Sequence, residues 1–422
     1  MQNLKNNGKK VCLINLGCKV NKYEIDSMAN ILSSNGYQIT YNHEFADYYI
    51  LATCAVTNES EKKSRQYITK LLKFNPKAKI IVCGCASQNN PEQFKRDNVI
   101  SIIGTEGREN ILDLLEGNKF EPYPLTTNFN SKLVCPHKSH TRAYIKIQDG
   151  CNNFCSYCII PYLRGRNRSR SATDIVSEAE TLSKNANEIV LTGIDVSSYG
   201  DGNIDLGDLI IKLKNVNARI RLSSFEVRII TKQFLEKLKQ NPNFCPHFHL
   251  SLQSGSTTVL KRMNRHYTAE EYLDRINLIR SYYPNANITT DIIVGFPKES
   301  DNEFLETVNL CNVAGFGHVH IFPYSVRNGT NAAKMVQVND KVKKERTTKL
   351  IELCKKNEQH FYKTMLGKTF TMLTEEINNG YMQGYTENYI KVLVKPNNLK
   401  PNMLVKVKLL EVTPNGVMAE IV

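Results

Sequence analysis

Residues 143–170 read AYIKIQDGCNNFCSYCIIPYLRGRNRSR, and this stretch decides how the middle of the chain is folded. Ala143–Gln148 has the aromatic and β-branched content of a short strand. Just beyond its end stand Cys151, Cys155 and Cys158, spaced C-x3-C-x2-C. Reactive side chains delivered at the carboxyl end of a strand are the hallmark of parallel α/β architecture. The same unit recurs downstream. Strand candidates at Glu188–Gly193, Ile220–Phe225, His247–Leu252, Thr289–Val294 and His318–Phe322 alternate with helical patterns such as Thr173–Asn185, Lys232–Gln240, Ala269–Ser281 and Asp301–Ala314. Six strand–helix units predict a barrel or partial barrel whose chemistry lies at the carboxyl ends of its strands.

Three thiolates at this spacing can ligate three irons of a 4Fe–4S cubane and leave the fourth open. An open iron can chelate the amino and carboxylate groups of S-adenosylmethionine and pass an electron into its sulfonium, which generates a 5′-deoxyadenosyl radical. The hard chemistry belongs to the cofactors, and the protein binds and orients them. A structural zinc site competes for the same residues. Zinc prefers four closed ligands, and no fourth cysteine or histidine lies close by in the sequence.

Towards the N-terminus, strand-like runs end at Gly17 (VCLINLG), Thr53 (YYILAT) and Gly84 (IIVCG), each followed by a helix-forming stretch such as Tyr23–Ser34 or Glu59–Phe74. That alternation predicts a mostly parallel sheet. Cys18, Cys54 and Cys85 each stand directly beyond one of these strand ends, where open α/β sheets bind ligands. The three thiols could converge on a second 4Fe–4S cluster, or pack as small buried residues in tight turns. Cys83 competes with Cys85, although alternation along the strand favours Cys85. The other thiols (Cys12, Cys83, Cys135, Cys245, Cys311 and Cys354) read as unligated.

Beyond the six units a long basic helix runs from Asp340 to about Met365, followed by short β runs and a Pro414-Asn415-Gly416 turn, read as a small all-β domain. The chain holds 55 Lys and Arg against 41 Asp and Glu, a net +14. The excess is concentrated near the long helix, while the last 52 residues carry five lysines against five glutamates. A basic excess of this size suits an anionic partner, nucleic acid above all, or simply a well-solvated surface. No run of about 18 apolar residues is present, so no membrane span is expected. The N-terminal MQNLKNNGKK lacks the apolar core of a signal peptide. A cytoplasmic protein is therefore expected, and twelve cysteines in a reducing compartment favour metal ligation over disulfides.

DGCNNFCSYCIIPYLRGRNRSR (149–170), LGCKVNKYE, ATCAVTNES and GCASQ together closely resemble the signatures of the radical S-adenosylmethionine methylthiotransferases. The resemblance covers essentially the whole chain. It implies an N-terminal methylthiotransferase domain (1–132), a radical S-adenosylmethionine domain with its closing helix (137–365) and a C-terminal RNA-binding barrel of the TRAM type (366–422), whose likeness GYTENYIKVLV carries. In fold terms this is an open α/β domain, a partial (β/α)6 barrel and a small all-β barrel. The resemblance further implies two 4Fe–4S clusters, on Cys151, Cys155 and Cys158 and on Cys18, Cys54 and Cys85. Tyr157 matches the position whose backbone meets the adenine of S-adenosylmethionine. The strand-end residues Gly193, Asp195, Glu226, Gln253, Gly295 and Tyr324 match the remaining cofactor contacts, although LTGID stands where the wider superfamily has Gly-Gly-Glu.

The implied partner is tRNA. Arg164, Arg166, Arg168 and Arg170 suit phosphate or base contacts, and Tyr385 and Tyr389 suit base stacking. One S-adenosylmethionine would methylate the carried sulfur, and a second would give the radical that removes hydrogen from carbon 2 of a modified adenine beside the anticodon. An electron donor of the flavodoxin or ferredoxin type is implied, and the sulfur donor is unspecified. LGCKVNKYE, QDGCNNFCSYCIIP, HLSLQSGSTTVLKRMNRHYT and FPYSVRNGTNAA look like the group acting on threonylcarbamoyladenosine. Isopentenyladenosine is the alternative substrate, and a non-catalytic iron–sulfur RNA-binding protein is the rival of another class.

Overall fold

The computed structural model describes residues 8–117, 119–130 and 141–422. Cys135 and the boundary between the domains expected at 1–132 and 137–365 lie outside them.

The N-terminal sheet holds five parallel strands, β1 (Lys10–Asn15), β2 (Gln38–Thr40), β3 (Tyr48–Thr53), β4 (Lys79–Gly84) and β5 (Val99–Ile102), in the order β2-β1-β3-β4-β5. All six residues of β3 are buried, as a central strand covered on both faces requires. Leu51 and Val82 pack into one core and Ile50 and Ile81 into the other. The helices α1 (Lys19–Ser34), α2 (Asn58–Leu71) and α3 (Cys85–Asn89) follow β1, β3 and β4 directly.

The six expected barrel strands are Ala143–Lys146, Glu188–Thr192, Arg219–Leu222, His247–His249, Asn287–Val294 and His318–Pro323. The first three form one parallel sheet and the last three another. Parallel bridges Ile220–Phe244 and Phe225–Leu250 join the two sheets. No pairing joins the first strand to the sixth among the described residues, so the barrel is partial. Its helices start where the sequence says they should. Thr268 with Glu271 and Ser300 with Glu303 form capping boxes, each satisfying two backbone N–H groups that a helix start leaves open. The helix Asp301–Ala314 has the bounds expected, and Gly315 in the left-handed conformation ends it.

The helix Asp340–Thr364 packs on the sixth strand and leads into a closed five-stranded barrel built from Thr369–Asn378, Tyr381–Thr386, Lys391–Val394, Leu404–Thr413 and Gly416–Ile421. This small barrel seals the amino-terminal ends of the large barrel's strands. Arg219 Nη1 donates to the Thr371 carbonyl at 2.7 Å, Arg221 Nη1 to the Glu387 carbonyl at 3.1 Å and Asn388 Nδ2 to the Asn285 carbonyl at 2.9 Å. No helix among the described residues is long and apolar enough to cross a membrane.

Candidate active site

The N-terminal domain sits over the carboxyl ends of the barrel strands. Asn58, at the start of α2, donates from Nδ2 to the Val326 carbonyl at 3.0 Å and accepts from Arg327 Nη1 at 2.7 Å. Thr105 Oγ1 donates to the Leu163 carbonyl at 2.7 Å. Between the two domains lies a cavity of about 450 Å³. Ala55, Val56 and Thr57, directly after Cys54, form one wall, and Tyr157 and Cys158 form another. Cys158 of the first set thus lines a space whose opposite wall is the segment directly after Cys54 of the second.

The first set is held by its loop. Cys158 N–H donates to the Cys155 carbonyl, and Cys151 N–H to that of Gly165. Asn264 Nδ2 braces the loop from outside, donating to the Asn153 and Phe154 carbonyls at 3.2 and 3.1 Å. Gly150 turns the chain into the loop with φ +71°, and a Cβ there would stand 1.9 Å from the Arg166 carbonyl oxygen. Gly150→Ala is expected to lower iron content per chain severalfold and to destabilise the fold. Gly202→Ala, at similar φ but with open space around it, should keep its iron. Iron assay and thermal melts of the two variants check this.

Burial, then the charges of Asp195 and Cys155, push the Cys151 thiol up to about 11. Burial and Cys155 push that of Cys158 up to about 12. Without a cation these groups stay protonated, so iron binding must displace their protons. Arg265 supplies the guanidinium that the set needs. Its Nη1 is 3.4 Å from Cys155 Sγ, and its Nη2 donates to the Ser251 carbonyl at 3.2 Å. The sequence singled out neither Arg265 nor Asn264, although both lie in the quoted RMNRHYT stretch.

The second set comes from three adjacent strands. Cys18 caps α1 after β1, Cys54 follows β3, and Cys85 opens α3 after β4. Gly84 (φ +110°) makes the last turn, and a Cβ there would meet the Thr53 carbonyl at 2.5 Å. Asn21 Nδ2 donates to that same carbonyl at 3.1 Å, which ties α1 to the end of β3. Cys54 is pushed up to about 11 by burial, with Cys85 and Cys18 adding to the shift. Cys83 is fully buried within β4 near Arg108 and Glu24, so Cys85 is the thiol that joins Cys18 and Cys54.

Arg164 Nε lies 3.4 Å from Cys85 Sγ. Its guanidinium also reaches Glu24 Oε1 at 3.0 Å, Asp149 Oδ1 at 3.2 Å and Asn21 Oδ1 at 2.7 Å. Around it, Arg108 and Lys146 pair with Glu24, and Arg168 pairs with Glu106 and Asp149. Four buried cations thus face three carboxylates, an excess of one positive charge beside Cys85. Against burial, Arg108, Arg164 and Lys146 hold Glu24 down to about 2.

This arrangement corrects one expectation. Arg164, Arg168 and Arg170 are buried, the last against Glu178 and Tyr23, so they join domains rather than meet RNA. Only Arg166 of the run is exposed, stacked over Phe154 at 4.3 Å. A second correction concerns Tyr385 and Tyr389. Tyr389 is sandwiched between His247 and Tyr385, each at 4.6 Å, with the Arg221 guanidinium 4.7 Å from its ring. These rings close the floor of the large barrel instead of presenting a free stacking platform.

Of the expected cofactor contacts, Tyr157, Gln253 and Tyr324 line the cavity. Gly193 abuts Gln148, whose Oε1 accepts from Asp195 N–H at 2.7 Å and whose Nε2 donates to the Gly150 carbonyl at 2.7 Å. Asp195 accepts from Asn153 at 3.0 Å, and Glu226 stands 3.5 Å from Arg265. These residues are therefore tied to the cysteine loop. Gly295 is not. It turns beneath the long helix against Lys343, away from the cavity.

No three His, Cys, Asp or Glu among the described residues stand close enough to hold a single metal ion. A cubane asks for something different, one thiolate per iron. Both sets offer three thiols with a guanidinium beside one of them, and both fit an anionic cluster.

Residues 145–311 match the Radical SAM superfamily, and residues 10–104 match the uncharacterized protein family UPF0004. The chain is 38% identical over 418 residues to the threonylcarbamoyladenosine tRNA methylthiotransferase MtaB of Bacillus subtilis, covering 94% of this chain and 92% of that protein. The chain belongs to the radical S-adenosylmethionine methylthiotransferases. Another relative in this methylthiotransferase family, the tRNA-2-methylthio-N(6)-dimethylallyladenosine synthase of Clostridium perfringens, is 34% identical and covers 98% of each chain. Among solved structures, the radical S-adenosylmethionine methyltransferase TsrM of Kitasatospora setae shares the fold at a TM-score of 0.54 and 15% identity, covering 77% of each chain. As a radical S-adenosylmethionine protein, this methylthiotransferase uses a 4Fe–4S cluster and S-adenosylmethionine.

Proposed function

We propose that the protein is a tRNA methylthiotransferase that attaches a methylthio group to carbon 2 of threonylcarbamoyladenosine beside the anticodon. The observation that carries this is an interdomain cavity bounded by Cys158 of one triad and by Ala55–Thr57, directly after Cys54 of the other. Cys151, Cys155 and Cys158 hold the cluster that binds S-adenosylmethionine, and Cys18, Cys54 and Cys85 hold a second 4Fe–4S cluster. Once bound, these groups supply a radical able to remove hydrogen from an unactivated carbon and a sulfur to replace it.

The chain's own residues bind, orient and enclose. Arg265 and Arg164 each donate towards one cysteine sulfur, an interaction that tunes cluster potential. Tyr157, Gln253 and Tyr324 bound the cofactor space. The N-terminal domain closes over the barrel mouth and excludes water, which protects a reactive radical. Lys341, Lys344, Lys349, Lys355 and Lys356 are exposed on the long helix and suit the tRNA backbone. The protein works in the reducing cytoplasm, takes electrons from a flavodoxin- or ferredoxin-type donor and needs a sulfur source.

The test is turnover of the iron-loaded enzyme on anticodon stem-loops carrying either modified adenosine. Methylthiolation of the threonylcarbamoyl RNA is the expected result. A preference for isopentenyladenosine would move the protein to the other substrate, and RNA binding without cleavage of S-adenosylmethionine would make it a non-catalytic iron–sulfur protein.

A further inference from the structure

The interior of the large barrel, between the cysteine-bearing domain and the small C-terminal barrel, is a second cavity of about 570 Å³. Its wall is cationic, with Lys19, Arg142, Arg221 and Lys355 among the lining residues. Lys19 is the residue next to Cys18. Its side chain is exposed to solvent at the wall of this space. Lys19 and Tyr144 also line a more open cavity of about 720 Å³ along Leu13–Cys18, so the two spaces adjoin at these residues.

The two arginines of this wall are engaged, and Lys355 and Lys391 line it as well. Arg142 and Arg221 pair with Glu188 at 2.6 and 2.8 Å. Lys19 makes no hydrogen bond or ion pair among the described residues. The charges that act on it most are Arg221 and Arg142, which repel it, and Asp291, which is already bonded to His249 at 3.0 Å. Arg142 Nη2 also lacks a hydrogen-bond partner among the described residues. An exposed ammonium beside two guanidinium groups makes this wall strongly positive and draws an anion to it.

We propose that Lys19 receives the carboxylate of the substrate's threonylcarbamoyl group and so sets substrate choice. The proposal rests on the function proposed above. Carbon 2 of the adenine must reach the sulfur held at Cys18, Cys54 and Cys85. Carbon 6, which carries the modified nitrogen, is separated from carbon 2 by one ring nitrogen. The substituent therefore falls beside the neighbour of Cys18. A threonylcarbamoyl group ends in a hydroxyl and a carboxylate that can pair with this ammonium, whereas an isopentenyl group offers it no acceptor.

The experiment compares two stem-loop RNAs, one with threonylcarbamoyladenosine and one with its neutral carboxamide, on iron-loaded wild type, Lys19→Gln and Lys19→Arg. Iron per chain and the Kd for S-adenosylmethionine are measured alongside kcat/KM. Wild type is expected to favour the acid by about ten- to a hundredfold, the range for a hydrogen bond to a charged group. Lys19→Gln should bring the two substrates level, and Lys19→Arg should retain most of the preference. Absence of a preference in wild type overturns the proposal without recourse to any variant. So does a Lys19→Gln enzyme that loses activity equally on both RNAs, or one that binds S-adenosylmethionine weakly while still discriminating. Wild type inactive on both RNAs would instead overturn the proposed function itself.

Discussion

Cys54→Ala is expected to separate two activities that Cys155→Ala removes together. Cys155 is almost fully buried in the loop that follows the first barrel strand, with Arg265 at 3.4 Å from its sulfur. Loss of a partner beyond the ligands of a metal site already costs about 10- to 100-fold, and loss of a ligand should exceed that. Cys155→Ala should therefore cleave no detectable S-adenosylmethionine and transfer no methylthio group. Cys54 follows β3 of the N-terminal sheet and directly precedes Ala55–Thr57, which form the opposite wall of the cavity. Cys54→Ala should still cleave S-adenosylmethionine reductively while methylthio transfer falls below detection. Chromatography of 5′-deoxyadenosine and of the RNA nucleosides reads both activities in one reaction. Full transfer by Cys54→Ala would remove the second cluster from the account.

Arg164→Met is expected to have the largest effect on stability. The guanidinium is fully buried and bonds Glu24, Asp149, Asn21 and Cys85. Removing this partner strips buried Glu24 and Asp149 of charged hydrogen-bond donors that no water replaces, at a cost of about 3–5 kcal/mol. The damage should not be confined to stability, because Glu24 lies on the helix that Cys18 caps and Asp149 directly precedes the Gly150–Cys151 turn. Urea midpoint and iron content should fall together. Arg164→Lys keeps the charge but loses the forked geometry, and it should fall between Arg164→Met and wild type. An unchanged midpoint and full iron in Arg164→Met would show that the network holds neither domain nor cluster.

Much of this architecture was legible in the sequence because its signals are local. Six strand ends, two capping boxes and Gly315 mark where elements start and stop, and cysteines placed directly after strands announce where chemistry collects. What stayed hidden depends on contacts between distant segments. The helices Leu206–Lys212 and Thr257–Arg262 and the edge strand Gln38–Thr40 are too short to show a period. The arginine run reads as a set of phosphate or base contacts because two of its carboxylates are remote in the chain. Glu24 stands 140 residues from Arg164 and Glu106 stands 62 from Arg168, and they pair only once the domains dock. Tyr385 and Tyr389 have the composition of a stacking platform, yet they stack on each other and Tyr389 on His247. Lys19 reads as one more surface lysine until the fold turns it into the barrel.

The central claim is tested most directly in a host lacking this gene, by mass spectrometry of its tRNA nucleosides before and after the gene is restored. The account predicts that restoration converts threonylcarbamoyladenosine to its 2-methylthio form. Unchanged threonylcarbamoyladenosine, with the protein expressed and loaded with iron, would contradict it.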